Sequence, residues 1–159
     1  MPDSLLNLNL CDNRIVDISR LRLPQSLLRL YLVKNKIDYV SVLSLPLSLE
    51  DIDLSFNPIQ DISEMVFPRS LAKLSLIAIG MEDISTLILP PNLVELDLSQ
   101  NRIKDLSCFN LCDQLNMEEF SFCRNEFSVS TFQLPKNLKR LVLRGTSVTN
   151  FLDFKFPDS

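Results

Sequence analysis

Carboxylates and lysines are the only side chains in this sequence that could carry acid–base catalysis near neutral pH. Histidine is absent. Its absence removes the usual general base, the commonest metal ligand and every Ser-His or Cys-His nucleophile pair. A carboxylate pair such as Asp53 with Asp97 is the remaining enzymatic option; the two occupy equivalent places two repeats apart, roughly 10 Å along a stack with strand spacing. The only glycines, Gly80 and Gly145, cannot build the clustered loops that cradle phosphates or dinucleotides. Aspartate recurs at positions 17, 61, 83 and 105. Calcium needs several oxygens converging on one point, whereas a repeat spacing strings these out in a line. The four cysteines, at 11, 108, 112 and 123, form no close-spaced redox pair and too small a ligand set for zinc without histidine. The expectation is a chain with no catalytic residues, no metal and no cofactor.

Bulk properties narrow the partner. A formal net charge of −4 leaves no basic excess to neutralise a phosphate backbone, so nucleic acid is not expected. Apolar residues never run to the roughly 18 needed to cross a bilayer, so no membrane span is expected. The opening Met1-Pro2-Asp3-Ser4-Leu5 lacks the basic and apolar regions of a secretory signal. No Asn-x-Ser/Thr acceptor occurs. Together with the scattered cysteines, these features point to a reducing, cytoplasmic setting.

The elements that position the remaining polar residues follow from an internal repeat. A proline follows a bulky apolar residue at Met1-Pro2, Leu23-Pro24, Leu45-Pro46, Phe67-Pro68, Leu89-Pro90, Leu134-Pro135 and Phe156-Pro157. The interval is 22 throughout, except for 45 residues between Pro90 and Pro135, which hold one ordinary repeat and one with an extra residue. Two apolar columns alternate with polar residues: Leu8, Leu30, Ile52, Leu74, Leu96, Phe120, Leu141 and Leu10, Leu32, Leu54, Leu76, Leu98, Phe122, Leu143. Period-two alternation over so short a run predicts one brief strand per repeat, stacked in parallel into a concave wall about 30 Å long. An asparagine column, Asn13, Asn35, Asn57, Asn101 and Asn125, can satisfy backbone donors and acceptors that lose their ladder where each turn leaves the strand. Ile79 and Thr146 interrupt that column, and the ladder is expected to be weakest there. The Asp-Ile-Ser triplets at 17–19, 61–63 and 83–85, with Asp105-Leu106-Ser107, predict a short turn or 3₁₀ segment on the convex side.

The phrase Asn57-Pro58-Ile59-Gln60-Asp61-Ile62-Ser63 resembles the 22-residue leucine-rich repeats of internalins and of the leucine-rich regulatory subunit of protein phosphatase 1. The opening phrase, Leu45-Pro46-Leu47-Ser48-Leu49, is more similar to repeats of bacterial effectors delivered into host cells. The resemblance spans the whole chain and implies an α/β repeat solenoid: residues 1–159 form a single curved domain of about seven repeats. Neither end carries a polar cap, so the chain reads as part of a longer array, or as a stack whose ends are covered by further repeats or a capping element. The sixth repeat carries its extra residue near Asn116-Met117-Glu118-Glu119 and is expected to bulge or kink the stack.

Such families share a scaffold and bind unrelated partners, so function must lie in the side chains between the core leucines. Tyr31, Val33, Phe56 and Ile77 fall in adjacent turns where the template expects solvent, the pattern of an interaction surface. Asp51, Asp53, Glu95, Asp97 and Glu119 make the middle of the wall acidic despite Lys73, whereas Arg124, Arg140 and Arg144 make its far end basic. This two-toned charge would orient a partner. The expected function is protein–protein recognition as an adaptor, scaffold or substrate-recognition module. The alternative is a secreted or injected effector that uses the same wall on a host protein.

Overall fold

Each repeat places a short strand where its alternating residues allow one face to be buried. The computed structural model describes residues 1–106, 109, 111, 113–127, 132–150 and 154–155. Ser107, Cys108, Cys112 and the closing Phe156-Pro157 lie outside the described residues. Strands β1 (Asn7–Asn9), β2 (Arg29–Tyr31), β3 (Asp51–Asp53), β4 (Lys73–Ser75), β5 (Glu95–Asp97), β6 (Glu119–Ser121) and β8 (Arg140–Val142) form one parallel sheet in the order β1-β2-β3-β4-β5-β6-β8. A second parallel pair joins β7 (Phe132–Gln133) to β9 (Phe154–Lys155).

Parallel strands must be connected by a crossover, and here the crossover is the rest of each repeat. It is built of turns and extended segments, so of the turn and 3₁₀ options it is turns that form, with no helix among the described residues. Asp17, Asp61 and Asp83 each accept the backbone N–H two residues on, from Ser19, Ser63 and Ser85, at 2.7–2.8 Å. The same bonds hold these carboxyls below the usual carboxylate range: the Ser19 hydroxyl is the largest cause at Asp17, and the backbone N–H of Ser63 and of Ser85 at Asp61 and Asp83. The proline phrase closes the other corner, where the carbonyls of Pro24, Pro46 and Pro68 accept from Leu27, Leu49 and Leu71.

The core fills the space between sheet and turns. Leu30, Leu32, Ile52, Leu54, Leu76, Leu98 and Phe122 are wholly buried, whereas Leu8, Leu10, Leu141 and Leu143 in the outer turns are only partly so. Sequence spacing is 24 from Glu95 to Glu119 and 21 from Glu119 to Arg140, yet both pairs stay in register. The expected bulge in the sixth turn is thus absorbed outside the strands. Phe120, Phe122 and Phe127 fill the widened interior, with Phe122 and Phe127 edge to face at 5.0 Å.

Where the chain leaves each strand it turns left-handed. Asp12, Lys34, Phe56, Ala78, Gln100 and Arg124 have φ between 53° and 59°, and Gly145 takes the same place at 70°. Residues with a Cβ pay roughly 1–2 kcal/mol for this conformation. In return the ladder continues past the strand: the N–H groups of Asp12, Lys34, Phe56, Ala78, Gln100 and Arg124 donate to Val33, Ser55, Ile77, Ser99, Cys123 and Arg144.

The next residue is the asparagine, whose side chain bridges two turns. The Asn57 amide donates to Leu32 O and Leu54 O, both at 2.9 Å, and its oxygen accepts the Ile37 N–H at 3.1 Å. Asn35 and Asn101 repeat the pattern on Leu10 O with Leu32 O and on Leu76 O with Leu98 O, and Asn125 bonds to Leu98 O and the Ile103 N–H. A second ladder runs along the proline corners, where Ser26, Ser48 and Ser70 hydroxyls and Asn92, Asn116 and Asn137 amides donate to carbonyls of the preceding turn.

Two stability changes follow. Asn57→Ala orphans buried groups in two turns and is expected to lower unfolding free energy by about 3 kcal/mol, against less than about 1 kcal/mol for the exposed Asn13→Ala, in urea titrations. Equal losses would contradict the bridging role. Ala78→Gly relieves a left-handed Cβ and is expected to raise stability by about 1 kcal/mol, the reverse of the usual sign.

Candidate protein-binding surface

Along each strand the middle residue enters the core and its two neighbours face outward, so the wall displays two columns of side chains. Six of the residues singled out from sequence come together there: Tyr31, Asp51, Asp53, Glu95, Asp97 and Arg140 line one open trough of about 460 Å³. Lys73, Ser75, Glu119 and Ser121 also line it, with Leu74 and Leu96 at its floor. The trough is therefore built by β2 to β6 and β8.

Its charges sort into paired and unpaired groups. Lys73 Nζ bonds to Glu95 across β4 and β5, which raises the lysine pKa. Arg140 lies 3.3 Å from Glu119. These two pairs leave Asp51, Asp53 and Asp97 without an ion-pair partner among the described residues. One oxygen of Asp53 and one of Asp97 accept the N–H of Ser55 and Ser99, at 2.9 Å in both cases, which orients the carboxylates. They stand on β3 and β5 with Ser75 of β4 in register between them. The Tyr31 hydroxyl donates to Asp51 at 2.7 Å. Partial burial is the largest cause pushing the phenol up to about 12, followed by this bond and the negative charge of Asp51.

The other five residues named from sequence lie outside the trough. Arg124 and Arg144 are exposed at the bend beyond the strand, where Arg124 N donates to Arg144 O. Phe56 is 39% exposed at its left-handed position. Val33 and Ile77 are half-buried, as is Tyr31, so the four residues do not form the uniformly exposed apolar patch expected of them. The column containing Val33 and Ile77 turns partly inward: Ser55 and Ser99 there are buried, and their hydroxyls accept the N–H of Ile77 and Cys123 in the next turn. Two-residue alternation could not reveal this, because the strand ends two residues earlier. The most exposed large apolar side chains are instead Leu47, Val66 and Ile88 on the connecting turns, at 77–82%. They occupy positions flanking the proline phrase, a weak signal in sequence.

Short parallel strands, one per turn of about 22 residues, with Asn35, Asn57, Asn101 and Asn125 each bridging its turn to the preceding one, define a leucine-rich-repeat solenoid. Residues 92–113 match the Leucine Rich Repeat family model. Among solved structures, the chain is similar to an internalin, InlF, of Listeria monocytogenes: identity is 22%, the TM-score is 0.74, and the match covers 95% of this chain and 51% of that one. Internalin C2 of the same organism matches at 19% identity and TM-score 0.70, over 95% and 76% of the two chains. YopM from Yersinia enterocolitica matches at 24% identity and TM-score 0.55, over 99% and 41%. The chain thus spans about half of the InlF structure. No curated protein matches it in sequence. Proteins of this fold generally mediate protein–protein interaction and are typically non-enzymatic.

The Tyr31–Asp51 contact has a titration signature. In a Tyr39→Phe background, Tyr31 absorbance is expected to change near pH 12; Asp51→Asn should lower that midpoint in part, the share due to burial remaining. An unfolded tyrosine ionises near 10, so any stability from this contact is present below that pH and is lost as pH rises from about 10 through 12. An Asp51→Asn titration that overlays the parent would separate the two groups.

Proposed function

We propose that this chain is a protein-recognition module of the adaptor or scaffold kind, and that its partner docks on the concave wall through cationic side chains. The observation that carries the reading is the trough itself: six strands converge their outward side chains on one open surface whose carboxylates outnumber its cations, and Asp53 and Asp97 there have no ion pair among the described residues. An open, shallow surface of this kind suits a protein segment better than an enclosed small molecule. Unpaired carboxylates on it speed the approach of a positive partner and reject a negative one, and desolvation by the partner's own apolar atoms strengthens the contact. Tyr31 adds a rigid amphipathic ring, with its hydroxyl already bonded to Asp51, at one end of the trough.

Asp53 and Asp97 are separated by a whole strand and each has one oxygen tied to a backbone N–H. Lys73 is held by Glu95. The groups that do unite across turns, Tyr31 with Asp51 and Arg140 with Glu119, set the shape and polarity of a surface.

Affinity capture with the parent chain, beside a Tyr31→Ala/Asp51→Lys variant and a Glu64→Lys/Val66→Lys variant of the convex side, tests the assignment. A retained protein whose affinity falls at least about tenfold with the first variant and is unchanged with the second is the expected result. Loss with the convex variant alone would move recognition off the wall, and capture indifferent to both would overturn the proposal.

A further inference from the structure

The interruption of the asparagine column at Ile79 leaves a cleft. Between the second and third turns, Asn57 bridges to Leu32 and Ile37, and Gln60 N donates to Asp38 O. Between the fourth and fifth, the Asn101 oxygen accepts the N–H groups of Ile79, Gly80 and Met81, all at 3.1 Å, and Arg102 N donates to Met81 O. Between the third and fourth turns, by contrast, no hydrogen bond joins residues 57–66 to residues 79–88. The Ile59 N–H turns back onto Asn57 O in its own turn, at 2.9 Å. Past the strand and its bend, where Phe56 N still donates to Ile77 O, the fourth turn is therefore hydrogen-bonded to the fifth and not to the third.

The space so opened measures about 380 Å³. That is far more than a single ion needs. Ile59, Ile79 and Met81, each less than a tenth exposed, contribute its apolar lining. Asp61, Glu82 and Asp83 contribute carboxylates, and no cationic residue lines it. Arg102 is the nearby cation, 3.6 Å from Glu82 in a pair whose side chains are both mostly exposed. Hydrogen bonds from Ser63 and Ser85 keep Asp61 and Asp83 ionised. At Gly80 an added Cβ would meet nothing within 4 Å, so that side of the cleft is open.

We propose that this cleft is a second binding site, separate from the concave wall, that takes a lysine or arginine side chain presented by a partner protein. A long aliphatic stem lies against Ile59, Ile79 and Met81 while its cation reaches the carboxylates, the division of labour that such amphipathic side chains favour. Three acidic groups without a lining cation select against acidic or neutral visitors. The gap between turns supplies the depth that an intact asparagine ladder would close.

Methyl-resolved NMR titration of the whole chain with Nα-acetyl-lysine amide and Nα-acetyl-arginine amide tests this, with Nα-acetyl-norleucine amide as the uncharged control. The expected result is saturable shifts of the Ile59, Ile79 and Met81 methyls with a Kd of about 1–10 mM for both cations, and none with the control. Asp61→Asn/Glu82→Gln/Asp83→Asn keeps the side-chain shapes and the turn bonds, and should weaken binding at least about tenfold. Ile79→Asn puts a carboxamide back into the column, offers the Ile59 N–H an acceptor in the next turn and should abolish the shifts of Ile59 and Met81 while the chain still unfolds cooperatively. The concave Tyr31→Ala/Asp51→Lys variant should bind the probes at the cleft as the parent does. Shifts that are absent, equal for the control, confined to the concave wall, or indifferent to carboxylate neutralisation would each overturn the proposal.

Discussion

A buried carboxamide that speaks to two turns at once is the interaction on which this structure depends. When a chain leaves a three-residue strand inside a stack, its carbonyls and amides lose their neighbours while still shielded from water, and an unpaired buried group costs roughly 1–3 kcal/mol. Asn57 meets that demand with donors to Leu32 O and Leu54 O and an acceptor for the Ile37 N–H. The arrangement works only if equivalent atoms of successive turns arrive at the same height. The repeat length, the left-handed residue before the asparagine and the strand register are consequences of that requirement. Where spacing departs, to 24 and then 21 residues around β6, the connecting segments absorb the difference and the strands do not move out of register.

The same regularity creates the recognition surface. Because strand and turn bonds consume the backbone, the outward side chains of β2 to β6 and β8 are free to vary, and they carry a mixed but net acidic set. Scaffold and surface are nonetheless not independent. Asp53 and Asp97 hold the N–H of Ser55 and Ser99 with one oxygen, and those serines bond onward to Ile77 and Cys123. A carboxylate that reads as a binding group is at the same time a turn cap. Substitutions there would disturb both roles, which is why the Tyr31–Asp51 pair, bonded to each other across β2 and β3, is the cleaner probe of the wall.

The loss of one asparagine has a structural consequence beyond a missing bond. Ile79 leaves its turn without a carboxamide bridge to the third, and Asn101 accepts three N–H groups from the fourth. Satisfaction of polar groups is thus redistributed toward the fifth turn. The cleft on the opposite side is the geometric residue of that redistribution.

Sequence alone determined the architecture. The spacing of Leu-Pro phrases, the two leucine columns and the asparagine column each demand the same stacked turn, and their agreement in phase leaves little freedom for any other fold. It also placed Tyr31, Asp51, Asp53, Glu95, Asp97 and Arg140 on one face, because period-two alternation on adjacent strands needs no further information. What only the tertiary structure decided is what happens where alternation stops. Ser55 and Ser99 are buried by bonds to the next turn, Val33 and Ile77 are half-covered, and Leu47, Val66 and Ile88 protrude on the connecting turns. The direction in which the fourth turn leans likewise depends on which neighbour offers an acceptor. These features are set by contacts between residues about 20 or more apart, and a local pattern carries no record of how two turns share their hydrogen bonds.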